Sequence, residues 1–283
     1  MEQKKIEKRQ NEELSLACQF VARHYYNRAE LFNYIIWGLC IVSVLTIFIP
    51  DTTNWIILGI PLFLDIIVLV LEKLFGDCIS IAAKLRNYFD SYVLDIGMSK
   101  YNASDIRFIK EVVSKVVEHY SEDYAIQIKN TGNETPPGVR NWYEFPRDFL
   151  DSEVKYECQR QNCWWNNQMT KRRIVCYIFA FIVLVILLVL GIKLNYGKGI
   201  LRIILCSGII IKTFGRIVAN LKYHKISLQI EGASKILDEC QNEKNITVLQ
   251  ELIASRRKIP VLEINAIHKR IAKKLSERYR KIA

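Results

Sequence analysis

Hydrophobic residues along the chain are concentrated in four long runs. Leu31 to Pro50 and Ile174 to Ile192 carry no charged residue, Trp55 to Leu71 carries one acid, and Gly199 to Leu221 carries three basic residues. A helix that crosses the hydrocarbon of a bilayer needs about 20 apolar residues, with a lower limit near 17. The pattern therefore predicts four transmembrane helices. The alternative is that the runs, the fourth above all, are buried core helices of a soluble protein.

Amphipathic patterns with helical spacing fill the polar segments between the runs. Residues 6–30 show such a pattern leading into the first run, and the second run continues as a helix to Ile96. Asn102 to Asp105 provides cap residues for a helix that extends to Tyr120. Asn130 to Gly138 is a loop by composition.

After this loop, the absence of a helix breaker beyond Pro146 predicts one helix from about Asp148 straight into the third run. Three further helices are predicted in the tail. One ends near Cys240, one runs from Thr247 to about Arg257, and a basic amphipathic helix runs from Leu262 to Tyr279.

These patterns together predict an all-α integral membrane protein. It has four transmembrane helices in two hairpins and a helical cytosolic domain. In chain order, the divisions are a cytosolic N-terminal helix (1–30), transmembrane hairpin 1 (31–71), a cytosolic helical insertion (72–173), transmembrane hairpin 2 (174–218) and cytosolic C-terminal helices (219–283).

The distribution of Lys and Arg predicts the orientation, because basic residues near helix ends stay on the cytosolic side. Residues 1–30 contain six, residues 72–173 contain fifteen, and the tail from Arg216 contains fifteen. The connection 51–54 contains none and the connection 193–198 contains two. Both termini are therefore expected in the cytosol, with the two short turns outside.

The net charge of +11 is concentrated in the tail, where fifteen basic residues face seven acidic ones. One interpretation is attraction to anionic lipid at the inner membrane face. The other is a site for an anionic ligand or a nucleotide.

Catalytic and metal-binding motifs are not found. The eight cysteines form no C-x-x-C pair and the four histidines are scattered. There is no phosphate-binding glycine loop, H-E-x-x-H motif or G-x-S-x-G motif. We therefore expect no enzyme activity, no catalytic residues, no metal site and no cofactor.

Three charges lie inside the predicted spans: Asp65, Arg202 and Lys212. A charge at mid-membrane costs at least about 2.5–3.5 kcal/mol, so it usually faces a partner or water. Counted from the outer turns, Asp65 and Lys212 have similar depths, which predicts an ion pair between them. That pair could be purely structural, or the charges could line a conducting path. Arg202 is close to the outer end and can reach the surface.

The densest polar and aromatic cluster of the sequence precedes the third run, from Gln159 to Trp165. One interpretation is packing between cytosolic helices. The other is a ligand site, in which Trp164 and Trp165 stack on a base and Arg160 contacts a phosphate. If the cluster is structural, Arg256, Arg257 and Lys258 provide another location for an anion.

Several short blocks, spread over most of the chain, resemble one known family. The blocks are Arg9-Gln10-Asn11-Glu12, Tyr25-Tyr26, Asn87-Tyr88-Phe89-Asp90 followed by Val93-Leu94, Asn141-Trp142-Tyr143, Cys158-Gln159-Arg160-Gln161-Asn162 with Trp164-Trp165, and Leu249 to Pro260 with the closing basic helix. The sequence is similar to the SMODS-associated four-transmembrane pore-forming effectors of bacterial antiphage, CBASS-like systems. The Q-R-Q-N-x-W-W block is the most specific. This chain has Asn166 where that family often has Asp.

The resemblance implies a multi-pass protein of the bacterial inner membrane, encoded beside an enzyme that makes a cyclic nucleotide. It implies an oligomer of identical subunits that binds the cyclic nucleotide, permeabilises the membrane and arrests growth. No nucleic acid polymer is expected as a partner. The expected ligand-binding or coupling residues are Trp142, Gln159, Arg160, Trp164, Trp165, Arg256 and Arg257. The alternative function is a non-conducting scaffold or sensor that recruits a partner through its cytosolic helices.

Overall fold

In the residues that the structure describes, the regular structure is helical, apart from one isolated bridge between Thr131 and Arg140. A computed structural model describes residues 1–49, 55–145, 147–194, 207–240 and 242–262. Within these ranges the predicted all-α fold is confirmed. Outside them lie Arg202, the whole predicted outer turn 51–54, most of the turn 193–198, and the predicted helix from Leu262 to Tyr279 beyond its first residue. The side chains of Trp164 and Trp165 are also outside the description.

Eight α-helices and two 3-10 turns make up the described part of the chain. In chain order they are α1 (Glu2–Gln10), α2 (Glu13–Leu45), a 3-10 turn (Thr46–Phe48), α3 (Trp55–Leu94), a second 3-10 turn (Met98–Lys100), α4 (Ala103–His119), α5 (Ser121–Gln127), α6 (Asp151–Leu194), α7 (Ser207–Glu239) and α8 (Glu243–Arg257).

The long helices extend across the predicted divisions between membrane and cytosolic segments. α3 and α6 are each continuous, 40 and 44 residues long. The absence of a breaker after Pro146 predicted this for α6, whereas α3 continues through an internal proline, Pro61. α7 ends at Glu239, close to the predicted end at Cys240. The described part of each apolar run therefore lies in a helix that also extends into the more polar part of the molecule.

The helical pattern predicted over residues 6–30 is present but divided between two helices, α1 and α2. The Nδ2 group of Asn11 donates to the backbone oxygen of Glu7 at 2.9 Å and to Oδ1 of Asn141 at 2.8 Å. The backbone of Glu12 is extended, so α1 ends and α2 starts in a new direction. A side-chain amide that binds the backbone four residues earlier competes with helix continuation.

Helix starts follow local capping chemistry. Asn102 and Asp105 form a reciprocal capping box at the start of α4, in agreement with the prediction. α8 begins at Glu243, four residues before the predicted start at Thr247, because the side chain of Asn242 accepts a hydrogen bond from the backbone N–H of Asn245.

The helices pack in two antiparallel pairs, α2 with α3 and α6 with α7, and α8 packs against α3, α6 and α7. Buried side chains form two cores. The first core lies among α1, the start of α2, the end of α3, α4, the start of α6, the end of α7 and α8, and includes Phe20, Leu85, Phe89, Val154, Ile230 and Leu249. The second core lies among the apolar parts of α2, α3, α6 and α7, and includes Ile36, Val44, Val68, Leu184, Leu188 and Ile209.

Large apolar side chains cover the outside of the second core. Two stretches, Glu13–Leu45 and Arg173–Gly191, are long and apolar enough to cross a membrane, and only 28% and 17% of their apolar parts are buried. A core helix of a soluble protein would be mostly buried, so this exposure argues against the soluble alternative. Exposed apolar residues continue onto α3 and α7, including Phe63, Leu69, Ile211 and Phe214.

Candidate functional site: a buried polar network joined to a charge cluster

A buried carboxylate, Asp90 of α3, holds together segments that are distant in sequence. Its side chain is 1% exposed. Arg257, at the end of α8, donates from Nη1 to Oδ2 of Asp90 at 2.7 Å and to Oδ1 of Asn87 at 3.0 Å. The hydroxyl of Tyr143 donates to Oδ1 of Asp90 at 2.7 Å, and Nδ2 of Asn162 donates to that hydroxyl at 3.1 Å. These five residues form the Asp90 network.

The electrostatics of the network favour the charged pair and the neutral phenol. Burial alone would lower the pKa of Arg257, but the adjacent Asp90 carboxylate outweighs it and the pKa is raised. Burial, followed by the nearby Asp90 charge, raises the pKa of Tyr143 well above its usual value of 10. Tyr143 is therefore protonated at neutral pH and can serve as a hydrogen-bond donor to Asp90.

Two glutamines extend the network to other helices. Gln10 of α1 binds the backbone of Tyr143 twice, accepting from its N–H at 2.8 Å and donating to its oxygen at 3.3 Å. Gln159 of α6 donates from Nε2 to Oε1 of Gln250 on α8. The network thus links α1, α3, α6, α8 and the segment before α6.

The predicted ligand-binding residues lie around this network but do not all converge. Arg256 donates from Nη2 to the backbone oxygen of Asn162 at 3.3 Å, so the tail arginines and the α6 block form one region rather than two alternative ones. Arg160 pairs with Glu157 on its own helix at 2.9 Å. Trp142 lies apart, with the guanidinium carbon of Arg86 4.9 Å from its ring centre.

We call the part of the molecule around the first core the polar half and the part around the second core the apolar half. A second polar cluster lies within the apolar half, on α3 and α7. Arg216 donates from Nη2 to both oxygens of Glu72, at 3.1 and 2.9 Å, and Nζ of Lys212 lies 3.2 Å from Glu72. Glu72, Lys212 and Arg216 form the Glu72 cluster.

The predicted interaction between Asp65 and Lys212 is corrected in part: Lys212 pairs directly with Glu72, although Asp65 lies close enough to interact with the charge of Lys212. Among the residues that the structure describes, the carboxylate within 4.0 Å of Lys212 is that of Glu72. Asp65 packs instead against Gly208, one turn before Lys212 on α7. Depth counted from the turns correctly brought Asp65 close to the level of Lys212, since Asp65 meets Gly208 one turn away. It could not show that the long side chain of Lys212 points towards Glu72, two turns beyond Asp65.

The two polar clusters are joined by the end of α8. Arg257 is its last residue, and three residues later the backbone oxygen of Pro260 accepts a hydrogen bond from Nη1 of Arg216 at 3.0 Å. A short segment therefore connects the Asp90 network to the Glu72 cluster.

Sequence reasoning missed Asp90, Tyr143, Glu72 and Arg216 as site residues. A signal for the first two was present, because they lie in the blocks that carry the family resemblance. Those blocks contribute Gln10, Asp90, Tyr143, Asn162 and Arg257, and all five meet in or beside the Asp90 network. Glu72 is the first charge after the second run, and Lys212 and Arg216 are four residues apart on one helix.

The described residues contain no group of three or more His, Cys, Asp or Glu side chains that could hold a metal ion. In a comparison with known families, residues 4–207 match the model of the SMODS-associating 4TM effector domain. No curated protein and no solved structure matches the chain. The matched region contains every member of the Asp90 network except Arg257.

Proposed function

The chain belongs to the SMODS-associating 4TM effector family, and from this premise we propose that it is a membrane effector of a bacterial antiphage system. In this proposal it spans the inner membrane four times, through the apolar parts of α2, α3, α6 and α7. Both termini and the first core lie in the cytosol. It assembles into an oligomeric pore that opens in response to a cyclic nucleotide and stops growth of the infected cell.

The observation that carries the gating proposal is the connection through the end of α8. Arg257 binds Asp90 in the polar half, and the backbone of Pro260 binds Arg216 in the apolar half. A displacement of α8 therefore changes contacts in both halves. A ligand that binds two positions of α8 unequally shifts the equilibrium of the membrane helices with it.

The chemistry of the Asp90 network also suggests how an anion could act. Arg257 carries a full positive charge that Asp90 neutralises. A phosphate that reaches α6 and α8 competes with Asp90 for Arg257. Gln159, Arg160 and Arg256 lie nearby as further contacts, whereas Trp142 lies apart, beside Arg86. Release of Asp90 would free the end of α8 to move.

The test is dye leakage from proteoliposomes that contain the full-length protein, with a panel of cyclic nucleotides. We expect one nucleotide to cause leakage at low dose. Asp90→Asn should lower the dose, because the competitor for Arg257 is weakened. Glu111→Gln is the matched control, since it neutralises an exposed acid that pairs with Lys115 on α4.

Two results would count against the proposal. Leakage that is the same with and without every nucleotide would exclude gating. Nucleotide binding without any leakage would favour the alternative, a non-conducting scaffold or sensor that recruits a partner.

A further inference from the structure

Two buried arginines lack an acidic partner. Arg173 is 4% exposed and Arg256 is 1% exposed. The ion pairs within 4.0 Å in the described part of the chain include neither of them, whereas Arg160, Arg216 and Arg257 each pair with a carboxylate. Burying a guanidinium charge is costly unless an anion or several hydrogen bonds compensate it.

Hydrogen bonding leaves part of each guanidinium unused. Arg173 donates from Nε to Oδ1 of Asn220 at 2.6 Å, but its Nη2 group is buried without a hydrogen-bond partner. Arg256 donates from Nη2 to the backbone oxygen of Asn162, but its Nε group is buried without one. The remaining donors are the kind of group that binds a phosphate oxygen.

The two arginines lie around the same aromatic ring. The guanidinium carbons of Arg173 and Arg256 are 4.6 and 5.6 Å from the ring centre of Tyr223. This places both charges at the junction of α6, α7 and α8, in one small region rather than at two unrelated positions.

The position of this junction along the helices fits a membrane interface. Arg173 directly precedes the third hydrophobic run, and Tyr223 follows the end of the fourth. The neighbouring apolar residues Val175 and Leu221 are exposed. Phosphates of phospholipid headgroups lie at this level, and basic pockets between transmembrane helices bind anionic headgroups.

We propose that Arg173 and Arg256 form a binding site for a phosphate group between α6, α7 and α8. The phosphate belongs either to an anionic phospholipid headgroup or to a soluble anion. The inference concerns binding alone and does not require that the protein forms a pore.

The experiment uses the full-length protein, purified in a neutral detergent and a phosphate-free buffer. Thermal unfolding is followed with added short-chain phosphatidylglycerol in one arm and inorganic pyrophosphate in the other. The variants are Arg173→Gln and Arg256→Gln, with Arg107→Gln as the control because Arg107 is exposed on α4.

We expect an anion to raise the Tm of the wild type and of Arg107→Gln. Each of the other two variants should bind about tenfold more weakly, as expected when a hydrogen bond to a charged group is lost. Stabilisation by the lipid alone identifies a headgroup site, and stabilisation by pyrophosphate identifies a site for soluble phosphate. Without an anion, Arg256→Gln should unfold no earlier than the wild type, because an uncompensated charge has been removed.

Equal Tm shifts in the wild type and both arginine variants, or no shift with either anion, would overturn the proposal. If a glutamine variant fails to fold, Arg173→Lys and Arg256→Lys retain the charge. Native mass spectrometry of the wild type then counts bound phosphatidylglycerol directly. A wild type that carries none and responds to neither anion has no such site.

Discussion

Asp90 shows how a single buried charge depends on its neighbours. Its carboxylate is removed from water and is compensated by Arg257 and the Tyr143 hydroxyl. Replacing both partners of such a pair by apolar groups changes the stability of the folded protein little. Removing one partner alone leaves an uncompensated buried charge and is strongly destabilising. Its value to the protein is therefore measured best by removing one partner at a time.

We expect Asp90→Asn to destabilise the purified protein by about 3–5 kcal/mol, because Arg257 then remains buried without a counter-charge. Chemical denaturation followed by circular dichroism measures this change. Adding Arg257→Gln to Asp90→Asn should recover part of the loss. Strictly additive losses in the double variant would show that the two side chains do not interact.

Tyr143 gives a prediction at alkaline pH. Its folded-state pKa is raised by burial and by the charge of Asp90, so its stabilising effect is complete below the unfolded value of about 10 and decreases as pH rises above it. Tyr101 and Tyr156, whose pKa values burial raises to about 12, contribute in the same direction. The wild type should therefore lose stability between about pH 10 and 12.

The variant Tyr143→Phe separates the contribution of this phenol from that of the others. It should be less stable than the wild type at pH 7, because it loses the hydrogen bond to Asp90. Its stability should then fall less steeply above pH 10, as urea unfolding at a series of pH values would show. The same slope in both proteins would mean that Tyr143 does not titrate differently on folding.

Helices were predictable where the determining signal is local. The continuity of α6 follows from the absence of a breaker, and the start of α4 follows from its capping box. The break between α1 and α2 was not predictable, because Asn11 also binds Asn141, far along the chain. The Asp90 network is non-local for the same reason: its members come from four separate segments.

The contact between α3 and α7 depends on a glycine. A Cβ atom at Gly208 would clash with the Asp65 carboxylate, whereas a Cβ at Gly215 on the same helix would meet nothing within 4 Å. We expect Gly208→Ala to destabilise the protein by about 1–3 kcal/mol through overpacking. Gly215→Ala should be neutral or stabilising, because alanine favours a helix.

Thermal unfolding and limited proteolysis of both variants measure this difference. Asp65→Ala combined with Gly208→Ala should recover part of the lost stability, since the clash is removed from the other side. Equal behaviour of Gly208→Ala and Gly215→Ala would show that α3 and α7 do not approach closely at this level.

At the scale of the whole molecule, the proposed topology places the turns 51–54 and 193–198 outside and the first core inside. Cysteine labelling in intact cells tests it, on a background in which the exposed Cys176 and Cys240 are replaced by serine. A cysteine introduced at Thr53 or Tyr196 should be labelled by an impermeant reagent, and one at Asn133 should not. External labelling at Asn133 would reverse the assignment.

The connection between the two halves gives the last prediction. Lys212 and Arg216 both bind Glu72, but only Arg216 also binds the oxygen of Pro260, three residues beyond the end of α8. Lys212→Gln therefore weakens the Glu72 cluster and the contacts of Lys212 with Cys40 and Trp37, but it leaves the Pro260 contact in place. Arg216→Gln weakens the cluster and also cuts its link to the Asp90 network.

Both variants are compared in the proteoliposome leakage assay, first without nucleotide and then over a range of doses. We expect both to change basal leakage, because each leaves Glu72 with one fewer cation in the apolar half. Only Arg216→Gln should also reduce the response to nucleotide at unchanged nucleotide affinity, since the signal no longer passes from α8 to α7. If Lys212→Gln and Arg216→Gln shift the dose response equally, the Pro260 contact does not transmit the signal and coupling runs through α6 instead.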